Sequence, residues 1–376
     1  MQLDDHARRA PPIGGAIAEG QRVLTVCNAC RYCEQFCPVF PAVERRRTFA
    51  EADLAYLANL CHNCGECLYA CQYAPPHEFG INVPKTLAEI RVHSYEEYAW
   101  PRAFGAAFRY NSLLTGLGLA AGLTAVMFAS TIIMNAAAIW RGDASGDFYV
   151  VVPHGVMVAL FGGVSLLVVS ALWIGCARFW RDMYVASGFS RTNAKAGWGA
   201  AMWDALTLRH LHGGGVDCPS EPETRSPWRR WFHHCTFYGF MLCFASTSVA
   251  AVYHSGFGWH APYAYSSLPV LLGTIGGLGL LVGPVGLAVL RRSQDSALGD
   301  PAQRGMDQSF LVLLFLTSLT GLMLLALRHQ QMMGALLIVH MGCVLALFLT
   351  FPYGKFVHGL YRTVALARHH REAEVN

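Results

Sequence analysis

The order of polar and apolar positions divides the chain into two unequal parts. Over the first hundred residues charged and apolar side chains are interleaved. Within them "RRRTFAEADLAYLANL", Arg45 to Leu60, repeats Phe49, Leu54, Leu57 and Leu60 on a roughly helical period and predicts one helix. Beyond Trp100 the pattern becomes six apolar runs: Leu113–Met134, His154–Ala177, Cys235–Tyr253, Leu268–Leu290, Phe310–Leu327 and Ala335–Gly354. Each is close to the roughly 20 residues a helix needs to cross a bilayer. None contains Lys, Arg, Asp or Glu, and none has the amphipathic stripe of a soluble bundle. "WPRAFGAAFRYN", Trp100 to Asn111, is aromatic, basic and small, as suits an interfacial lead-in. The pattern predicts an all-α protein, with residues 1–99 outside the bilayer and residues 100–376 forming a six-span membrane domain.

Composition agrees with that division. The chain is 54% hydrophobic and 14% charged, against about a quarter charged in a soluble domain. A net charge of +4, with its basic residues scattered, argues against nucleic-acid binding. Charge also predicts orientation. With the first hundred residues inside, the inner segments hold fifteen Arg and Lys: eight over Arg178–Arg230, three over Arg291–Ser309 and four after Gly354. The outer loops hold Arg141 and Arg328. This positive-inside bias predicts an inner-membrane, multi-pass protein with a cytoplasmic N-terminal domain. The first thirty residues contain no apolar signal-peptide core.

In a reducing compartment, closely spaced cysteines indicate cofactor ligation rather than disulfides. Eight of the thirteen cysteines lie in two copies of C-x2-C-x2-C-x3-C: Cys27, Cys30, Cys33, Cys37 and Cys61, Cys64, Cys67, Cys71. Three thiolates two residues apart wrap one iron–sulfur cube, and the fourth ligates the neighbouring cube. The spacing predicts two [4Fe–4S] clusters, one on Cys27, Cys30, Cys33 and Cys71, the other on Cys61, Cys64, Cys67 and Cys37. Zinc would use four cysteines in two pairs and leave the third of each run surplus. Pro38 follows the first run as the motif expects, whereas Gln72 follows the second. His62 and His77 read as surface residues or neighbours of the ligands. Cys176, Cys218, Cys235, Cys243 and Cys343 have no ligand spacing and read as small apolar fillers.

Within or beside the spans the titratable side chains, other than Tyr and Cys, are histidines: His154, His233, His234, His254, His340 and His358. Such residues are expensive at membrane depth, and neutral imidazole is a common axial ligand of haem iron. On one continuous helix His340 and His358 would lie five turns apart on one face, about 27 Å along the axis. Antiparallel spans three and six then offer two bis-histidine sites for one or two b haems. His233 or His234 would face His358 at the inner edge, and His254 would face His340 toward the outer leaflet. His154 is the rival ligand at the outer end. His260, His329, His369 and His370 read as loop or tail residues.

The cysteine runs with a helix between them resemble the α-helical ferredoxin of heterodisulfide reductase and succinate dehydrogenase iron–sulfur subunits. "VPKTLAEIR", Val83 to Arg91, continues that resemblance as a closing helix. Together with "DALTLRHLHGGGVDC", "RRWFHHCTFYGFMLCFASTSVAAVYH" and "LPVLLGTIGGLGLLVGP", the runs make almost the whole chain similar to the tricarballylate/citrate-utilisation protein B membrane electron carriers. The histidine-bearing spans also resemble the gamma subunit of respiratory nitrate reductase, in which two histidines of a terminal helix serve two b haems. The resemblance implies an accessory oxidoreductase. It would reoxidise a cytosolic FAD-dependent tricarballylate (or similar tricarboxylate) dehydrogenase and deliver the electrons to membrane quinone. No G-x-G-x-x-G after a strand is present, so the flavin should reside on the partner. Tyr353, Lys355 and Arg230 are candidates for a quinone site. A quinone module for another dehydrogenase stays open. A tricarboxylate transporter would want cations at mid-membrane, and a haem sensor would want an output domain.

Overall fold

The computed structural model describes residues 13–140, 146–187, 197–212, 219–221, 224–225 and 227–375. The protein is helical apart from an antiparallel pair of short strands, Pro219–Glu221 and Thr224–Arg225. In the first part, α1 (Ile13–Cys30), α3 (Glu51–Leu60) and α5 (Val83–Tyr98) pack together, with α2 (Val39–Glu44) between the cysteine runs and α4 (Glu66–Tyr69) inside the second. Val23, Leu24, Leu54, Tyr56, Leu57 and Leu87 form their fully buried core. α5 is the closing helix, and its N-terminus is capped by Asn82, whose side chain accepts from the Lys85 amide at 3.0 Å.

The expected helix from Arg45 begins only at Glu51. Residues 45–50 form an irregular stretch, because Arg46 turns inward to pair with Asp53 at 2.8 Å rather than continuing a helix face. Glu51 and Asp53 occupy the first turn of α3, where carboxylates favour a helix N-terminus.

Among the described residues six helices are long and apolar enough to cross a membrane: α6 (Arg102–Trp140), α7 (His154–Ser187), α9 (Trp228–Phe257), α10 (Leu268–Arg292), α11 (Pro301–Ala326) and α12 (Met333–Thr350). α12 lies at the centre, with 61% of its apolar window buried, against 11% for α6, α7 and α9. Those three turn Ile133, Leu166, Trp173, Phe244 and Val252 outward, as expected for surfaces facing lipid. α9 and α10 touch backbone to backbone: a Cβ on Gly276 would come within 2.7 Å of the Gly239 carbonyl oxygen. The glycines of "GTIGGLG" thus serve close helix packing. α8 (Trp198–Thr207) is a short helix between α7 and α9 that leaves Met202, Trp203 and Leu206 exposed.

The expectation of one helix joining His340 to His358 is corrected. α12 ends at Thr350, and α13 (Val357–Val375) starts afresh seven residues later. Pro352 has no amide to donate and blocks helix continuation. The intervening amides make turn bonds instead, Tyr353 and Gly354 both to the Thr350 carbonyl. His340 and His358 therefore sit on separate elements.

α13 docks on α3, α7 and α8 rather than trailing away. Its Tyr361 meets Tyr95, Tyr98 and Phe179 at ring-centroid separations of 5.3 to 6.2 Å, joining the membrane bundle to the first domain. Further along, Arg368 and Glu372 enter a buried ion network with Arg46, Asp53 and Tyr56.

Candidate functional site

The cysteine runs fold so that they exchange members. Cys27 and Cys30 occupy the last turn of α1. Arg31 then takes a left-handed conformation, φ 55°, which turns the chain back and brings Cys33 round. Asn63 at φ 56° and Gly65 at φ 87° do the same after Cys61. Around Cys27 lie Cys30, Cys33 and Cys71. Around Cys67 lie Cys61, Cys64 and Cys37, with Cys33 of the other group beyond them. Cys37, separated from Cys61 by two helices, faces Cys64 and Cys61 and accepts from the Val39 and Phe40 amides.

The first quartet lines a cavity of about 200 Å3, with Tyr32, Tyr73 and Ile81 among its other walls. The second lines a tighter pocket with His62, Asn63 and Gly65. Burial, then the neighbouring sulfurs, pushes the Cys27 thiol up to about 12. Burial raises Cys37 and Cys67 well above the ordinary value. Thiols in this setting ionise on meeting a metal rather than water. Among the described residues no three His, Cys, Asp or Glu side chains converge closely enough for a single metal ion. Each quartet could instead surround a larger inorganic group.

The second quartet sits directly on the membrane bundle. Asn63 Nδ2 donates to the Leu298 carbonyl at 3.0 Å and Asn82 Nδ2 to the Ala297 carbonyl at 2.8 Å, both in the α10–α11 connection. Gly65 lies against Leu298, and a Cβ there would come within 2.8 Å of Leu298 Cδ2. His62 is buried beside Cys64, and burial pushes its imidazole below the ordinary value. His77, by contrast, packs with Tyr73 and Phe79 at the outer side.

Below that loop, His233 of α9 and His358 of α13 approach with ring centroids 6.2 Å apart and planes at 75°. His358 Nδ1 is hydrogen-bonded to the Lys355 carbonyl, so its hydrogen resides there and Nε2 keeps a lone pair. His234 points elsewhere, stacking on Tyr238 and accepting from Arg230 Nε at 3.3 Å. His340 Nδ1 lies 3.0 Å from Thr320 Oγ1. The Thr320 hydroxyl donates to the Leu316 carbonyl at 2.7 Å, so it accepts from His340 and leaves Nε2 free.

At the opposite end, His254 lies against His154 rather than His340. Their rings stack at 4.0 Å and 20°, while His260 Nδ1 is 3.2 Å from His254 Nδ1 and Tyr149 adds an edge contact. His260 and His154 thus share a three-imidazole cluster with His254.

The other sequence candidates are dispersed. Tyr353 donates to the Trp100 carbonyl at 3.1 Å, and Lys355 pairs with Asp307 at 2.9 Å. His370 of α13 and His210 both bind the buried Asp204 carboxylate, at 2.8 and 3.0 Å. His329 packs beside Arg328, and His369 lies on α13. Cys176, Cys235, Cys243 and Cys343 are scattered over α7, α9 and α12, and Cys218 lies outside the described residues.

Sequence reasoning missed the role of α13 and a group of arginines around the second quartet. Their signal, Arg91, Arg229 and Arg362 in three distant segments, has no local spacing to reveal it.

Residues 20–97 match the citrate utilization protein B Fer4-like domain, and residues 109–376 match citrate utilization protein B. Citrate utilization protein B of Escherichia coli is 50% identical over 352 residues, covering 93% of this chain and 91% of that protein. No solved structure matches. The Fer4-like match, the thiol groups and the six apolar helices suggest an iron–sulfur electron-transfer role in a multi-pass membrane protein. By both its matched domains and this relative, the chain belongs to the citrate utilization protein B family.

Proposed function

We propose that this protein carries electrons from a soluble FAD-dependent dehydrogenase, acting on tricarballylate or a related tricarboxylate, to membrane quinone. Cys27, Cys30, Cys33 and Cys71 hold one [4Fe–4S] cluster, and Cys61, Cys64, Cys67 and Cys37 hold the second. His233 and His358 hold a b haem at the edge of the bundle beneath the second quartet. His340 and His254 serve a second haem toward the far end, with His154 as the alternative partner there. The iron–sulfur domain faces the cytoplasm, on the side the basic loops favour. Bound iron–sulfur cubes and haem supply one-electron acceptors for the two electrons of a reduced flavin.

One observation carries this reading: the thiols segregate into crossed quartets, and the second is wedged onto the bundle above the His233–His358 pair. His233 and His358, brought to a centroid separation of 6.2 Å from two different helices, are the residues that would hold a haem there. The chain's own groups prepare these ligands. The Lys355 carbonyl and Thr320 hydroxyl hold the Nδ1 hydrogens of His358 and His340, leaving Nε2 of each able to bind metal. Cys61 and Cys64 are buried, which keeps water from those two sulfurs.

The test is the purified protein in detergent. About eight non-haem irons and eight labile sulfides per chain are expected. A b-type absorption band should also appear, reduced by a flavoprotein donor and reoxidised by quinone. Four or fewer irons with no b-type band would refute the proposal.

A further inference from the structure

Three guanidinium groups converge on the backbone of the second cysteine loop from three different helices. Arg91 of α5 and Arg362 of α13 each donate from Nη2 to the Cys61 carbonyl at 2.7 Å. Arg91 Nε also donates to the Ala58 carbonyl at 2.7 Å. Arg229, in the first turn of α9, donates to the His62 and Asn63 carbonyls, both at 3.0 Å. Behind them Lys355 and Arg291 share the Asp307 carboxylate. Among the described residues no carboxylate forms an ion pair with Arg91, Arg229 or Arg362.

Desolvated cations without counter-charges are costly. The backbone carbonyls orient the guanidiniums but carry no charge to neutralise them. An anionic group in the adjacent thiol quartet would. Glu66 lines the second quartet's pocket and also lies beside Cys33 of the first, whose cavity is the larger of the two.

We infer that Arg91, Arg229 and Arg362 set the reduction potential of the second cluster above that of the first, so that electrons run one way, toward the membrane. This rests on the cluster reading given above. A cube held by four thiolates is already anionic, and an accepted electron adds one negative charge without a proton or a change of bonds. The electron leaves the first cluster, which becomes less negative by one charge, and enters the second. The three guanidiniums, fixed by the carbonyls of residues 58 and 61–63, favour the more negative form there and do not reach the first quartet's loop. Their role is positioning of charge, and the readout is a potential rather than turnover.

The experiment is a redox titration of the intact protein in detergent, followed by electron paramagnetic resonance of the reduced clusters. Cys64→Ser identifies the signal of the second quartet. That signal should titrate at the higher potential. In Arg362→Gln the cluster should lose about tenfold in electron affinity, a fall of about 59 mV for one electron. The first signal should stay put, and Arg362→Lys should retain most of the wild-type value. Arg229→Gln gives the same reading should Arg362→Gln fail to assemble. The inference is overturned if the second signal titrates below the first, or if neither glutamine variant moves it. Wild-type protein lacking both signals and iron would overturn the cluster reading itself.

Discussion

Deleting the Glu372 carboxylate should release α13 from the iron–sulfur domain. Glu372 Oε1 accepts from Arg46 Nη2 at 2.5 Å and from Arg368 Nε at 2.7 Å. Asp53 accepts from the same two arginines at 2.8 and 3.2 Å, and both guanidiniums lie over the Tyr56 ring, at 4.8 and 4.4 Å. The four ionic side chains are at most 9% exposed, so solvent screens them little. Glu372→Ala leaves two guanidiniums to one carboxylate. Removing one partner from such a buried set costs about 3–5 kcal/mol. At about 1.4 kcal/mol per factor of ten, the docked arrangement should open about 140 to 3,700 times more often. Hydrogen exchange read by mass spectrometry would show this as lost protection in Glu51–Leu60 and in the last turns of α13. Burial pushes the Glu372 carboxyl up, but Arg46 and Arg368 outweigh it and hold it below the ordinary 4.5. A carboxyl depressed on folding contributes stability above its unfolded value, and that contribution is lost as pH falls through the folded one. Wild-type protection should therefore persist at neutral pH and fall away below 4.5. Equal protection in wild type and Glu372→Ala at neutral pH would refute the argument.

Three other outcomes follow from the geometry. His233→Ala and His358→Ala should remove the same b-type absorption while His234→Ala retains it; a matching loss in His234→Ala would disprove the pairing. Thr320→Val deprives His340 Nδ1 of its acceptor, which should shift the potential of the haem it serves by optical titration and leave the other unmoved. Gly65→Ala forces a side chain onto a left-handed residue and against Leu298, at a cost of about 1–2 kcal/mol. Its second-quartet absorbance should be lost at lower temperature than in wild type, and an identical melting curve would count against the packing described.

How much was legible in the sequence depended on the range of the interaction. Helical spans are encoded locally, because a run without charges must be long enough for the bilayer, and all six lie where the apolar pattern puts them. The proposed thiol exchange rests on the same kind of local ruler, C-x2-C-x2-C-x3-C, whose last member is set apart from its own group. Phase arguments failed where one residue reset them. Pro352 ends the helix, so the five-turn arithmetic from His340 to His358 has no helix to act along. Arg46 likewise broke a periodic segment because its partner, Glu372, is 326 residues away. Side-chain placement at the far end depended on the loop carrying His260, which the spacing of His254 and His340 does not describe.

The contact between Arg46 and Glu372 also sets an order of assembly. Residues 368–372 are made after all six spans, yet they complete the ion network of the domain made first. Arg229 and Arg362, which grip the second cysteine loop, likewise belong to helices synthesised later. The N-terminal domain thus emerges from the ribosome unfinished, with its inner loop ungripped until the bundle has formed. The domain at the head of the chain is closed by side chains near its tail.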